Sequence, residues 1–151
     1  MIASVYASIV VGTDGSETAG KAVAAAIDLA RLAAATLELV SAYEPVPAQR
    51  LRAEARQAPP DVQWSINARE DVDATLAAAA EAAAAAGVAV RVHAREGDPA
   101  DAILDVAEER GADLIVVGNK GMTGAKRFLL GSVPNKISHH APCSVLIVRT
   151  T

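Results

Sequence analysis

Short apolar runs alternate along this chain with longer segments in which apolar residues recur at the spacing of an amphipathic helix. The runs predict five strands, at residues 8–12, 36–43, 88–94, 114–117 and 143–149. The other segments predict helices at residues 17–34, 70–86, 99–110 and 132–140. The first run, Ser8–Gly12, is apolar at almost every position, which is typical of a strand buried on both faces.

This alternation predicts a parallel sheet with helices on both faces, joined by right-handed crossovers. We therefore expect a doubly wound, Rossmann-like α/β fold with the strand order 3-2-1-4-5, built as a single domain from residues 1–151. Residues 44–67 interrupt the pattern, because they contain four prolines and no sustained periodicity. We predict a long loop with a helical piece there, whose simplest interpretation is a solvated excursion.

Four glycines lie between the fourth predicted strand and the last helix: Gly118, Gly121, Gly124 and Gly131. Glycine lets backbone N–H groups approach a ligand closely, and successive N–H groups in such a loop form a concavity that suits an anion. Ser132 opens the following helix with Pro134 in its first turn, so the helix dipole favours an anion at the same place. The stretch predicts a phosphate site, although its spacing matches neither a Walker A loop nor the dinucleotide-binding fingerprint.

Ligands of doubly wound sheets bind beyond the carboxyl ends of the strands, where the strand order reverses. Asp14 follows the first strand and Gly118 follows the fourth, so the two face one crevice if those strands are neighbours. Asp14 also has a structural interpretation, as the residue that holds the turn 13–16. Ser132 can cap its helix, offer its hydroxyl to a phosphate, or do both. Three basic residues either neutralise phosphates or are solvated loop charges: Lys120, Lys126 and Arg127.

Composition argues against several classes of function. The formal net charge is −4 and 3% of the residues are aromatic, so neither bulk electrostatics nor base stacking supports a nucleic-acid partner. No stretch approaches about 20 uncharged apolar residues, so we expect no membrane partner. Cys143 is the single cysteine, which excludes an internal disulfide and fits a reducing compartment. The uncharged opening reads as the approach to a strand rather than a signal peptide, and we expect a cytoplasmic protein.

The sequence shows little sign of the residue groups that catalysis requires. Ser16, Ser132 and Cys143 have no evident base partner in the sequence, so we assign no catalytic residue. His93 lies in a predicted strand, and the adjacent histidines 139–140 point to different faces of a helix. One cysteine and three scattered histidines do not give the spacing of a zinc site, so we predict no metal site in the protein itself.

Four motifs together resemble the universal stress protein family. They are Val10–Ser16, Asp113–Gly118, the spacing Gly-x2-Gly-x9-Gly-Ser that starts at Gly118, and Pro142–Val148. The resemblance covers nearly the whole chain except residues 44–67, and the glycine spacing is similar to that of the family's nucleotide-binding branch. It implies a regulatory stress-response protein that binds ATP, accompanied by Mg²⁺, without rapid turnover. The alternative within that branch is cyclic AMP, since residues 131–134 would suit one phosphate as well as three.

The same resemblance implies the site residues. Asp14 would contact the ribose hydroxyls, a role for which a carboxylate beside vicinal hydroxyls is chemically suited, and backbone near Ala42 would meet the adenine. The phosphate cradle would consist of Gly118, Gly121, Gly131, Ser132 and Val133. Thr13, Val117 and Lys120 complete the expected binding set.

Two further classes of function stay open. One is an enzyme, either a slow ATPase or an adenylyl or phosphoryl transfer enzyme, which would need a metal site and a group that positions water. The other is a pure interaction module that dimerises and meets a partner through residues 44–67.

The resemblance also implies a homodimer, formed through the last strand from Ser144 to Arg149. Residues 145–148 are apolar at every position, so we expect them to be buried on both faces although the strand lies at a sheet edge. A two-fold axis beside that edge would pair two copies of the strand antiparallel. Leu146 and Val148 are the residues that we expect to present N–H groups at the edge.

Overall fold

The computed structural model describes residues 5–43, 68–119 and 130–150. The strands are β1 (Ser8–Gly12), β2 (Thr36–Tyr43), β3 (Val90–Glu96), β4 (Leu114–Gly118) and β5 (Ser144–Val148). The helices of the described residues are α1 (Glu17–Ala33), α2 (Ala68–Ala85), α3 (Pro99–Arg110) and α4 (Ser132–His140). The strands form one parallel sheet in the order β3-β2-β1-β4-β5, which confirms the predicted fold class. None of these four helices is long and apolar enough to cross a membrane.

The centre of the sheet is buried on both faces, because successive side chains of each strand enter two different hydrophobic clusters. Ile9 and Val11 of β1 pack into the cluster that includes α1 and α2. Val10 enters the opposite cluster, together with Ile103 of α3 and Ile137 of α4. Ile9, Val10 and Val11 are all fully buried, which confirms the prediction for the first apolar run.

Capping residues set the helix boundaries. Ser16 Oγ accepts a hydrogen bond from the Ala19 N–H at 3.2 Å and so caps α1. Asp98 Oδ2 accepts from the Asp101 N–H at 3.0 Å and caps α3, with Pro99 in the first turn. Serine and aspartate are among the residue types preferred at the N-cap position.

Strand β3 begins two residues later than the sequence predicts. Gly87 has a φ of 78°, and the Val88 N–H donates back to the Ala83 carbonyl at 3.0 Å. Val88 therefore belongs to the end of α2, because its backbone satisfies a helix carbonyl rather than a neighbouring strand.

Strand β5 is less buried than predicted. Leu146 and Ile147 are 39% and 40% exposed, because β5 is the last strand of the sheet and is paired on one side alone. The expectation of burial on both faces is wrong for the single chain.

The backbone direction of β5 also differs from the expectation. The Asn119 N–H donates to the Val148 carbonyl at 2.9 Å, so Val148 directs its backbone groups toward β4. Leu146, two residues earlier, does the same, whereas Ile147 directs its N–H and carbonyl to the open edge. The edge donor is thus on Ile147 and not on Leu146 or Val148.

A buried carboxylate joins β2 to the β3 edge and to the end of α3. Glu38 is 1% exposed, and its Oε1 accepts from Arg110 Nε at 3.2 Å and lies 2.8 Å from His93 Nε2. Arg91 Nη1 lies 3.6 Å from the other oxygen. Burial of a carboxylate at this position is stable because a permanent cation accompanies it.

We expect Glu38→Ala to lower the free energy of unfolding by about 2 kcal/mol, because it leaves Arg110 and His93 without their acceptor. Urea denaturation measures the change. The control is Glu109→Ala, which removes an exposed carboxylate paired with Arg95 at 2.6 Å and should change the stability little. Equal losses in the two variants would show that the burial of Glu38 is not what matters.

Candidate functional site

The candidate site lies where β1 and β4 end side by side. Val10 pairs with Ile115 and Val11 with Val116, so the two strands are neighbours at the centre of the sheet. The connection after β1 leads to α1 on one face of the sheet, and the connection after β4 leads to α4 on the other face. The carboxyl ends of β1 and β4 therefore border a crevice, as expected where the strand order reverses.

The turn after β1 is held by its own side chains. Asp14 Oδ1 accepts from the Ser16 N–H at 2.8 Å, and Thr13 Oγ1 accepts from the Gly15 N–H at 3.1 Å. Gly15 has a φ of 82°, a conformation that favours glycine. Asp14 thus has the structural role that its position in a turn suggested. Its second oxygen, Oδ2, has no donor among the described residues, and the side chain is exposed.

The end of β2 overhangs the crevice. β1 stops at Gly12, which is opposite Val40, while β2 continues to Tyr43. The Thr13 N–H donates to the Val40 carbonyl at 2.9 Å, so alternate residues of β2, including Ala42, point their backbone groups toward β1. Because β1 has already ended, the N–H and carbonyl of Ala42 have no partner among the described residues. They are one donor and one acceptor at the side of the crevice.

The first turn of α4 offers unpaired N–H groups. Its N-cap is Gly131, which makes no side-chain cap, and Pro134 has no N–H to satisfy. Ser132 and Val133 keep N–H groups without acceptors in the part of the chain that the structure describes. The interpretation of Ser132 as the helix cap is wrong, since it is the first helical residue and its side chain is exposed.

The remaining predicted residues divide into two groups. The Val117 side chain is 4% exposed and packs in the core with α3, so at most its backbone meets a ligand. Gly118 is the last residue of β4 and pairs with Val148. Lys120 and Gly121 lie outside the described residues, as do the other charged positions of the glycine stretch.

Asn119 belongs to this site and was missed by the sequence analysis. Its carbonyl accepts from the Gly131 N–H at 3.0 Å, which joins the end of β4 to the N-cap of α4. Its side-chain Oδ1 accepts from the N–H and the hydroxyl of Thr150, at 2.8 Å and 3.1 Å. An asparagine beside the first glycine of the stretch was the available signal, because asparagine often holds turns through its side chain.

Electrostatic contacts fix α4 against α3. Lys136 Nζ lies 2.7 Å from Asp101 Oδ1 and 3.5 Å from Asp98 Oδ2, at the start of α3. The hydrogen bond to Asp101 raises the pKa of Lys136, so the amine is charged at neutral pH. Burial raises the pKa of the Cys143 thiol, which leaves it a weak nucleophile. The described residues contain no group of three His, Cys, Asp or Glu side chains suited to a metal ion.

Comparison with known proteins identifies the family. A family model described as the universal stress protein family matches residues 6–149. The chain belongs to this family. Universal stress protein Rv1636 of Mycobacterium tuberculosis strain H37Rv is 41% identical over 150 residues, which cover 98% of this chain and 99% of that protein. Universal stress protein MJ0531 of Methanocaldococcus jannaschii is 33% identical, over 97% of this chain and 84% of that protein.

A solved structure extends the comparison to the fold. The crystal structure of a universal stress protein in complex with cAMP matches with a TM-score of 0.71 at 35% identity, over 97% of this chain and 98% of that chain. The predicted membership of the family is therefore confirmed, whereas the role of the glycine motif stays a prediction. Membership of the nucleotide-binding branch stays a prediction for this universal stress protein.

The geometry of the turn after β1 predicts that Gly15 cannot be replaced by alanine without a loss of stability. A Cβ on Gly15 would lie 2.9 Å from Thr75 Oγ1 and would add strain at a φ of 82°, so Gly15→Ala should lower the free energy of unfolding by about 1 kcal/mol or more. The matched control is Gly20→Ala in α1, where a Cβ meets nothing within 4 Å and helix propensity should raise stability by up to about 1 kcal/mol. Thermal unfolding that shifts in the same direction for both variants would contradict this geometry.

Proposed function

We propose that this universal stress protein is a cytoplasmic, single-domain regulatory protein that binds an adenine nucleotide, with ATP as its ligand, and takes part in a stress response without rapid turnover. The observation that carries the proposal is the set of unpaired polar groups around the β1–β4 crevice. They are the N–H and carbonyl of Ala42, one oxygen of Asp14, and the N–H groups of Ser132 and Val133.

Each part of a nucleotide has a matching group in this arrangement. The N–H and carbonyl of Ala42 can pair with the donor and acceptor on the edge of an adenine. The free oxygen of Asp14 can accept from ribose hydroxyls, while its other oxygen keeps the turn in place. The N–H groups of Ser132 and Val133, with the positive end of the α4 dipole, suit a phosphate.

The donors at the start of α4 bear on how many phosphate groups the nucleotide carries. Because Pro134 has no N–H, the first turn of α4 supplies donors for about one phosphate group. A triphosphate would need further donors, which Gly118, Lys120 and Gly121 would provide, and its Mg²⁺ would be held mainly by the phosphates themselves.

Cyclic AMP is the second candidate ligand, and a specific observation favours it. The solved universal stress protein that is 35% identical to this chain is a complex with cAMP. A single phosphate would be satisfied by the Ser132 and Val133 donors alone.

The test of the function is a titration of the purified protein with ATP, ADP and cAMP. We expect a dissociation constant of about 1 μM for the preferred nucleotide. Asp14→Asn should weaken ATP binding about tenfold, since asparagine keeps the acceptor for the Ser16 N–H and replaces the oxygen offered to the ribose. The penalty should be smaller for cAMP, because its 3′ oxygen is esterified and a single hydroxyl is left to donate.

Different results of the titration would reject different parts of the proposal. Absence of binding to all three nucleotides would reject the function and favour an interaction module. Equal affinity of the wild type and Asp14→Asn for ATP would reject the ribose role alone. Steady phosphate release from ATP that is lost in Asp14→Ala would instead identify an enzyme.

We also propose a homodimer formed by the last strand, from Ser144 to Arg149. β5 ends the sheet, and its Leu146 and Ile147 side chains are exposed on opposite faces. An apolar edge strand favours pairing with a second strand, and a two-fold axis makes such an interface closed.

Ile147→Pro should convert the dimer to a monomer at about 10 μM, because it removes the N–H that faces the open edge while the bonds to β4 are kept. Ile147→Val keeps that N–H and should leave the dimer intact. Light scattering during size exclusion measures both masses, and circular dichroism must show native helix content. A wild type that is monomeric at this concentration would refute the dimer.

A further inference from the structure

Thr150, which follows β5, is held from three directions. It is 3% exposed. Its N–H and its hydroxyl both bond to Asn119 Oδ1, and its carbonyl accepts from Lys21 Nζ of α1 at 3.1 Å. Such complete satisfaction of a buried polar residue fixes its position closely, since breaking one bond leaves a buried group unpaired.

The backbone of Asn119 also makes hydrogen bonds near both ends of the glycine stretch, residues 118–131. Its N–H donates to the Val148 carbonyl, and its own carbonyl accepts from the Gly131 N–H. Gly131 is the N-cap of α4, so its position sets the direction of the Ser132 and Val133 N–H groups. The side chain of Asn119 thus anchors to Thr150, while its backbone anchors the first turn of α4.

We propose that Asn119 is a positioning residue for the phosphate-binding turn of α4, and that Thr150 is the group that holds it in place. This inference rests on the proposed nucleotide-binding function. Asn119 acts through Gly131, because its backbone carbonyl accepts from the Gly131 N–H while its side-chain oxygen is bonded to Thr150.

The chemistry explains why an asparagine serves here. One amide oxygen accepts two hydrogen bonds without a charge. An aspartate would keep both bonds and would add a negative charge beside the phosphate. A leucine of similar size would remove the acceptor and leave the Thr150 N–H unpaired.

The experiment compares Thr150→Val with Thr150→Ser. Valine removes the hydroxyl that donates to Asn119, and serine restores it. Without any ligand, hydrogen exchange of the Gly131 amide, followed by NMR, should become about fivefold faster in Thr150→Val and return to the wild-type rate in Thr150→Ser. Thr36→Val, at the opposite end of the sheet in β2, is the matched control and should leave the rate unchanged.

The second measurement is affinity for ATP and cAMP. Thr150→Val should weaken binding of the preferred nucleotide about fivefold and Asn119→Leu about tenfold, with the double variant no weaker than Asn119→Leu alone. By linkage, the preferred nucleotide should slow exchange of the Thr150 amide in the wild type.

The outcomes separate this inference from the function on which it rests. Unchanged Gly131 exchange in Thr150→Val overturns the inference whether or not a nucleotide binds. If the wild type binds nucleotide and Thr150→Val shows faster Gly131 exchange with unchanged affinity, the inference is overturned as well. The contact between Asn119 and Thr150 would then have a structural role only. A wild type that binds neither ATP nor cAMP overturns the proposed function, and with it the nucleotide role of Asn119. Additive losses in the double variant show that the two residues act separately, against the proposal.

Discussion

The pairing of β1 with β4 is the constraint on which the candidate site depends. It places the turn 13–16 beside the end of β4, although about 100 residues separate them in the chain. Because α1 and α4 pack on opposite faces of the sheet, the connections diverge and leave a crevice between them. A sheet with β1 and β4 apart would keep every local turn and lose the site.

Groups at this crevice have structural roles and also keep unpaired polar atoms in the part of the chain that the structure describes. Asp14 uses one oxygen to hold the turn, and its other oxygen has no donor among the described residues. α4 is capped by a glycine that satisfies no first-turn N–H through a side chain, so donors that a serine or aspartate would have occupied stay available. In both cases the fold is stable because the polar group lies at the solvent-accessible end of the sheet, where water can replace a missing ligand.

Polar residues in β2 and just after β4 and β5 have a different function. Glu38 ties the β3 edge to α3, and Asn119 with Thr150 ties the β5 edge to the start of α4. Each joins an edge strand to a neighbouring element through a hydrogen bond to a buried residue, Glu38 in one case and Thr150 in the other, that would be costly to leave unpaired. The second of these ties connects the proposed phosphate turn to the strand that we propose as the dimer interface.

The sequence alone determined the class of the fold and most helix ends, because these follow from local patterns such as the apolar run of β1 and the capping residue types of Ser16 and Asp98. The strand order was an expectation for this class of fold, which the structure confirms. The sequence also indicated the family, since the motifs that together carry the resemblance are properties of the chain. Tertiary structure decided what depends on distant residues. The hydrogen-bond partners of Asn119 and Glu38, the exposure of Leu146 and the direction of the Ile147 N–H arise from contacts between elements that are far apart in the chain. Hydrogen-bond partners of this kind have no local signature, because a residue type states what a side chain can bond and not which group the fold places beside it.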